Sequence, residues 1–172
     1  MKPAKNDGVV SSFFTYTGES DGTTWDEIDI EFLGKDTTAV QFNYYVDGIG
    51  NHEYLHKLDY DASEEYHEYS FLWTQDYIRY FIDGITVYEY KISNGKLPVT
   101  EGRIMMNLWN GRSDIPDVVR WLGSYDGTTP LYAYYDNFSY VPLEGLDLEY
   151  YENCQSHETQ LKYWIKRYFT FK

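Results

Sequence analysis

Residues 26–33 read Asp26-Glu27-Ile28-Asp29-Ile30-Glu31-Phe32-Leu33. Carboxylates fall at 27, 29 and 31, and apolar residues at 28, 30 and 32. A period of two sorts side chains onto opposite faces only in a strand; a helix would scatter both sets around its circumference. The segment is therefore a strand whose one face enters a core and whose other face carries three carboxylates. Like charges in a row are costly unless water screens them or chemistry uses them, and crowding raises the pKa of at least one. A carboxyl held protonated near neutral pH is a general acid. Paired carboxylates are what glycosidic cleavage needs, one attacking the sugar carbon and one protonating the leaving oxygen. Four strand residues separate the α-carbons by about 13 Å, whereas retention wants carboxyl groups about 5–5.5 Å apart. Glu27 and Glu31 must then lean inward over Asp29, which the spacing permits without establishing. The bland alternative is an acidic strand facing solvent.

The rest of the chain repeats the strand theme. Val9 to Thr17, Ala39 to Val46, Tyr66 to Trp73, Tyr77 to Ile82, Ile85 to Ile92, Arg103 to Trp109 and Leu131 to Val141 all read as strands. Asp47-Gly48 and Asp83-Gly84 are hairpin dipeptides. The 20 Tyr, 9 Phe and 5 Trp favour pleated surfaces, and Tyr and Trp also suit sugar rings. Only Asp61 to Glu65 and Ile115 to Leu122, with Pro116 in a first-turn position, read as short helices. The fold class is all-β, an antiparallel sandwich. Trp25, Asn43, Tyr45, Asn107 and Trp109 adjoin or occupy strands near the carboxylates and make a groove for a polar chain plausible.

Charge and motifs exclude other classes. With 14 basic and 28 acidic residues, the net charge of −14 opposes nucleic acid and anionic lipid. No apolar run approaches the roughly 18 residues of a membrane span, and no apolar region follows Met1-Lys2-Pro3-Ala4-Lys5-Asn6 as a signal peptide would require. Cys154 has no partner for a disulfide or metal site. His52-Glu53-Tyr54-Leu55-His56 matches a zinc pattern, but it lies in a hairpin region and the zinc geometry needs a helix.

Trp25 to Thr38, WDEIDIEFLGKDTT, closely resembles the active-site strand of bacterial endo-1,3-1,4-β-glucanases, the lichenases of glycoside hydrolase family 16. The resemblance runs from Met1 through Val9 to Gly18, Val40 to Tyr45, Arg103 to Trp109 and Trp121 to Tyr140, covering roughly residues 1–142. It implies a concanavalin-like jelly-roll sandwich and retaining hydrolysis of β-1,4 bonds that follow β-1,3 bonds in mixed-linkage glucan. It implies Glu27 as nucleophile, Glu31 as acid/base and Asp29 as the residue that orients them. It places Phe14, Tyr16, Trp25, Asn43, Tyr45, Asn107, Trp109 and Trp121 against sugar. It gives Asp136 to a structural calcium and requires no other cofactor. Family members are secreted, so an extracellular, monomeric enzyme is expected.

The chain departs from that pattern at both ends. The family domain begins before the position of Met1, so the sandwich is expected to be incomplete, with unpaired edges and uncovered apolar faces. A fragment or mis-started frame, a degraded gene and a minimal variant capped by its tail all fit. Residues 145–172 match nothing in the family and are electrically neutral, so the whole −14 lies in residues 1–144. In the tail Leu161, Trp164, Ile165 and Tyr168 fit an amphipathic helix, while Trp164 to Phe171 reads equally as a strand. Gly111 to Arg120 is longer than the usual loop. The competing functional expectation is a truncated, weak or inactive glucan-binding module of the same fold.

Overall fold

The computed structural model describes residues 1–146 and 148. The strands are β1 (Val9–Thr17), β2 (Asp26–Leu33), β3 (Ala39–Tyr45), β4 (Tyr54–Lys57), β5 (Tyr69–Trp73), β6 (Tyr77–Ile82), β7 (Ile85–Lys91) and β8 (Arg103–Asn110); the α-helix α1 spans Pro116–Leu122. All strand pairs are antiparallel. They form a five-stranded sheet in the order β4-β3-β2-β1-β8 and a three-stranded sheet in the order β5-β6-β7. Both Asp-Gly dipeptides turn with positive φ at each residue, 53° and 77° at Asp47-Gly48 and 48° and 73° at Asp83-Gly84. That matches the twist of the flanking strands. No helix among the described residues is long and apolar enough to cross a membrane.

The two sheets lie face to face in register. Tyr88 of β7 stacks on Tyr54 of β4 at 3.6 Å, and Tyr80 of β6 stacks on Phe42 of β3 at 4.3 Å. Tyr69 of β5 meets Phe32 of β2 edge-on at 4.9 Å, and Phe71 of β5 meets Phe13 of β1 at 6.0 Å. The core is thus the alternate set Ile28, Ile30, Phe32, Val40, Phe42 and Tyr44 packed on Tyr69, Ile78, Tyr80 and Ile82. Each fully buried aliphatic side chain contributes about 1.5–3 kcal/mol. The buried Tyr80 hydroxyl donates to the Asn43 carbonyl at 3.0 Å, so its burial leaves no orphan donor. Among the described residues no strand of the small sheet is placed against β8, where Ile104 and Met106 stay 38% and 39% exposed.

Several sequence expectations need correction. Leu131 to Val141 forms no strand: its regular pairing is one bridge, Tyr134 to Lys2. A strand needs a neighbouring edge, and among the described residues this segment pairs along its backbone with Lys2 alone. Residues 66–68 lie outside β5, and Asp61 to Glu65 is a turn closed by the Glu64 N–H on the Asp61 carbonyl, with Asp61 Oδ1 accepting from Ser63. That side-chain bond competes with helix. Strand β4 escaped the periodicity reading because it is only four residues long; it places Tyr54 to His56 in extended backbone, which removes the zinc reading. Helix α1 forms within Gly111 to Arg120 and beyond, with Pro116 in its first turn as expected. Cys154, the tail pattern at Leu161, Trp164, Ile165 and Tyr168, and nearly all of 145–172 lie outside the described residues.

Candidate active site

Cross-strand register builds the site in three rows. Tyr16, Glu27 and Tyr45 are directly opposite one another on β1, β2 and β3; Phe14, Asp29 and Asn43 form the next row; Ser12, Glu31 and Gln41 form the third. Strand β8 extends the third row with Asn107, opposite Ser12. Because Ile28, Ile30 and Phe32 anchor the other face of β2 in the core, the three carboxylates cannot turn away. A cleft of about 650 Å³ lies over them, lined by Phe14, Glu27, Asp29, Glu31, Asn43, Tyr45, Asn107, Trp109 and Trp121, with Ser12, Gln41 and Glu53.

The three carboxylates are not equivalent. Asp29 is 3% exposed, and burial, reinforced by the charges of Glu31 and Glu27, pushes its pKa well above the ordinary range. Glu31 keeps some contact with the cleft, yet the atoms packed around its carboxyl desolvate it and raise its pKa to about 7. Gln41 Nε2 donates to Glu31 Oε2 at 2.9 Å, a bond that opposes the rise; Glu27 and Glu53 add to it. Glu27 instead accepts the Trp25 indole N–H at 2.6 Å. Asp29 and Glu31 are thus both biased toward holding a proton, while Glu27, four residues before Glu31 on the same strand, is hydrogen-bonded as an acceptor.

Aromatic rings frame the two ends. Trp25 stacks on Tyr45 at 4.8 Å and 10°, with Tyr16 at 6.3 Å. Trp109 and Trp121 meet at 6.0 Å at the other end, brought together by β8 and α1. The structure therefore gathers every sugar-facing residue expected from the sequence, although Tyr16 and Trp25 stand at the margin rather than in the cleft lining. Ser12, Gln41 and Glu53 were missed. Alternation finds the first two, each two residues before an expected one on the same strand. Glu53 carries no periodic signal and was absorbed by the zinc-like pattern. Ser12 Oγ donates to Asn107 Oδ1 at 2.5 Å, and Asn43 Oδ1 accepts the His52 N–H at 3.3 Å. Asp26, on the core side, accepts backbone N–H groups of Asp47, Val99 and Thr100 at 3.2, 2.9 and 3.0 Å and so pins two loops.

Asp136 is exposed, and its Oδ1 accepts the Asn137 N–H at 2.8 Å. Among the described residues no group of three or more His, Cys, Asp or Glu side chains gathers to hold a metal. Calcium takes six to eight oxygens, and one carboxylate does not supply them.

The chain is thus a sandwich whose cleft displays a row of carboxylates between aromatic walls. Residues 1–126 match glycosyl hydrolases family 16, and the chain belongs to that family. It is 58% identical over 142 residues to a β-glucanase of Acetivibrio thermocellus, covering 83% of this chain and 40% of that protein. The solved β-glucanase of Bacillus licheniformis superposes with a TM-score of 0.70 at 57% identity, over 76% of this chain and 57% of that one. A solved β-1,3-1,4-glucanase (lichenase) from a mouse hindgut metagenome gives 0.70 at 56% identity, over 76% and 58%. The chain thus spans about half the length of the relatives it matches.

Proposed function

We propose that this chain carries the catalytic half of a retaining endo-β-glucanase that cleaves β-1,4 bonds next to β-1,3 bonds in mixed-linkage glucan. The observation that carries the reading is the asymmetry between Glu27 and Glu31. Glu31, protonated near neutral pH, gives its proton to the leaving glycosidic oxygen while Glu27 attacks the anomeric carbon. The resulting glycosyl ester is opened by water that Glu31, now a carboxylate, deprotonates. Asp29 sits between them as the residue that sets their charge and posture. Phe14, Tyr16, Trp25, Asn43, Tyr45, Asn107, Trp109 and Trp121 hold the glucan by stacking and hydrogen bonds. The solved lichenase relative supports the substrate class.

The family 16 sandwich is assigned to residues 1–144, with 145–172 as an appended tail. The working protein is taken to be an extracellular monomer without affinity for nucleic acid. A structural calcium at Asp136 would need most of its ligands from main-chain carbonyls, water or other polypeptide.

Reducing-sugar release from lichenan tests the reading. Glu27→Gln should lower the rate on the order of 10³-fold or more at unchanged far-UV circular dichroism. A variant as active as the parent would sink the assignment. A second reading, a binding module that does not turn over, is favoured by the uncovered β8 half. It predicts retardation in glucan-gel electrophoresis by a folded chain that releases no sugar.

A further inference from the structure

Three tyrosines stand out of the sandwich on the side away from the cleft. The Tyr135 hydroxyl lies 3.0 and 2.7 Å from the Ser12 and Asn107 carbonyl oxygens of β1 and β8, and Phe138 meets Phe13 of the inner face at 6.1 Å. This segment therefore runs along the inner side of the five-stranded sheet, whose other side carries the cleft. Tyr134 is extended where it exchanges both backbone bonds with Lys2 at 2.8 Å, so its side chain turns opposite to that of Tyr135 and away from the sheet. Tyr132 shares that direction, and the two rings lie 6.3 Å apart at 28°. Tyr66 joins them from the start of β5, one residue before His67, whose ring stacks on Tyr60 at 3.8 Å.

Lys2 ties the three rings into one surface. Its ammonium sits 5.2 Å from the Tyr134 centroid and 5.9 Å from the Tyr66 centroid, within the range of cation–π attraction, and so steadies both rings. Tyr132, Tyr66 and Tyr134 are nevertheless 65%, 53% and 45% exposed. Exposed aromatic rings gathered at one spot mark a binding surface, and their chemistry narrows the ligand. Each ring offers a flat apolar face beside a hydroxyl that both donates and accepts, and Lys2 adds ammonium donors. That set fits a ligand made of C–H faces and hydroxyls. The net charge of −14 repels nucleic acid and anionic lipid and leaves a neutral polymer unopposed. The cleft is framed by the same kind of side chain, Trp25 on Tyr45 and Trp109 beside Trp121.

We propose that Tyr66, Tyr132 and Tyr134, with Lys2, form a second β-glucan-binding platform, separate from the cleft and without a catalytic role. A glucan chain lies across the rings, its sugars stacking on the tyrosine faces while the phenol hydroxyls and the Lys2 ammonium bond to sugar hydroxyls. Because the sandwich stands between the platform and the cleft, one stretch of polymer is held on one side while the cleft engages another. Two weak contacts to one polymer then reinforce each other through effective concentration. The proposal rests on the β-glucan reading for its ligand class and not on the roles of Glu27 and Glu31.

The test is native electrophoresis of the full 172-residue chain through gels containing lichenan, with Glu27→Gln present so that no polymer is cut during the run. Trp109→Ala, in the cleft, should weaken the retardation and leave a residual part. Adding Tyr66→Ser, Tyr132→Ser and Tyr134→Ser should raise the apparent dissociation constant at least fivefold further. Tyr132→Ser alone, at the most exposed ring, should raise it at least twofold at an unchanged unfolding midpoint, and it decides the matter if the triple variant does not fold. Sugar release by the chain with Glu27 intact is read separately. A chain that is retarded through the tyrosines but releases no sugar therefore overturns the hydrolase reading and supports the platform. Retardation that the tyrosine substitutions leave unchanged, or that Trp109→Ala alone abolishes, would overturn the proposal. So would a dimer in sedimentation that the same substitutions dissolve, which would assign the rings to a second copy of this chain.

Discussion

The inner face of the five-stranded sheet has two halves built from the same alternation and treated differently by the fold. On β2 and β3, Ile28, Ile30 and Phe42 are at most 1% exposed beneath β5, β6 and β7. On β8, Ile104 and Met106 point to the same side and stay more than a third exposed. Nothing in the local pattern of β8 marks it as different. What differs is cover, which belongs to the partner sheet. Alternation fixes the face a residue occupies, and only the opposite layer decides whether that face is buried.

The largest test of this contrast is in the core. Phe42→Ala removes a ring stacked on Tyr80 and should cost about 3–5 kcal/mol. Met106→Ala, on the uncovered half, should cost less than about 1 kcal/mol. Urea unfolding of both variants measures the difference. Equal losses would mean that the β8 half is packed as tightly as the β2–β3 half, and the contrast would fail.

The loop anchor comes next. Asp26→Ala leaves three N–H groups at the edge of the covered half without their acceptor. The expected loss is about 1–3 kcal/mol, with exchange at the Val99 and Thr100 amides accelerating first. Unchanged exchange there would show that the loops hold themselves.

How much of this was legible in sequence differs along the same line. Strands β1, β2 and β6 could be placed to the residue because alternation, Asp-Gly turns and Gly34 bound them. The carboxylate rows followed from β2 alone. Gln41 and Ser12 were within reach of the same alternation, whereas Glu53 depends on how β4 folds back beside β3, which no local period records. Leu131 to Val141 misled for the opposite reason. Its alternation is strand-like, but a ladder is a property of two edges, and among the described residues this segment pairs only through Tyr134 with Lys2. The raised pKa of Glu31 needed the packing around its carboxyl.

Charge on the cleft side of the covered half gives a smaller, pH-dependent effect. The folded pKa of Glu31 is raised to about 7 from an ordinary value of 4.5. As pH rises through 4.5 the unfolded chain loses this proton first, so stability falls between about pH 4.5 and 7 and then levels. Glu31→Gln removes that penalty. The variant should match the parent at pH 4 and exceed it by about 1–3 kcal/mol at pH 8. A difference that does not vary with pH would show that Glu31 is not desolvated. Under the proposed hydrolase reading, in which Glu31 protonates the leaving oxygen, the same group is expected to set the alkaline limb of the pH–rate profile.

The finest test separates Gln41 from the surrounding packing. Its amide donates to Glu31 and favours the charged form, so it pulls the Glu31 pKa down against desolvation. Gln41→Ala should therefore raise that pKa further and move the alkaline limb of lichenan hydrolysis upward, by about half a unit to one unit. Maximal rate should fall only modestly, because the proton donor remains. Ser12→Ala, which frees Asn107 at the junction with the uncovered half, should leave the limb in place, since its hydroxyl bonds to Asn107. Were both substitutions to shift the limb equally, the acid/base would answer to the whole cleft, and the boundary drawn between the two halves of the sheet would not extend to its chemistry.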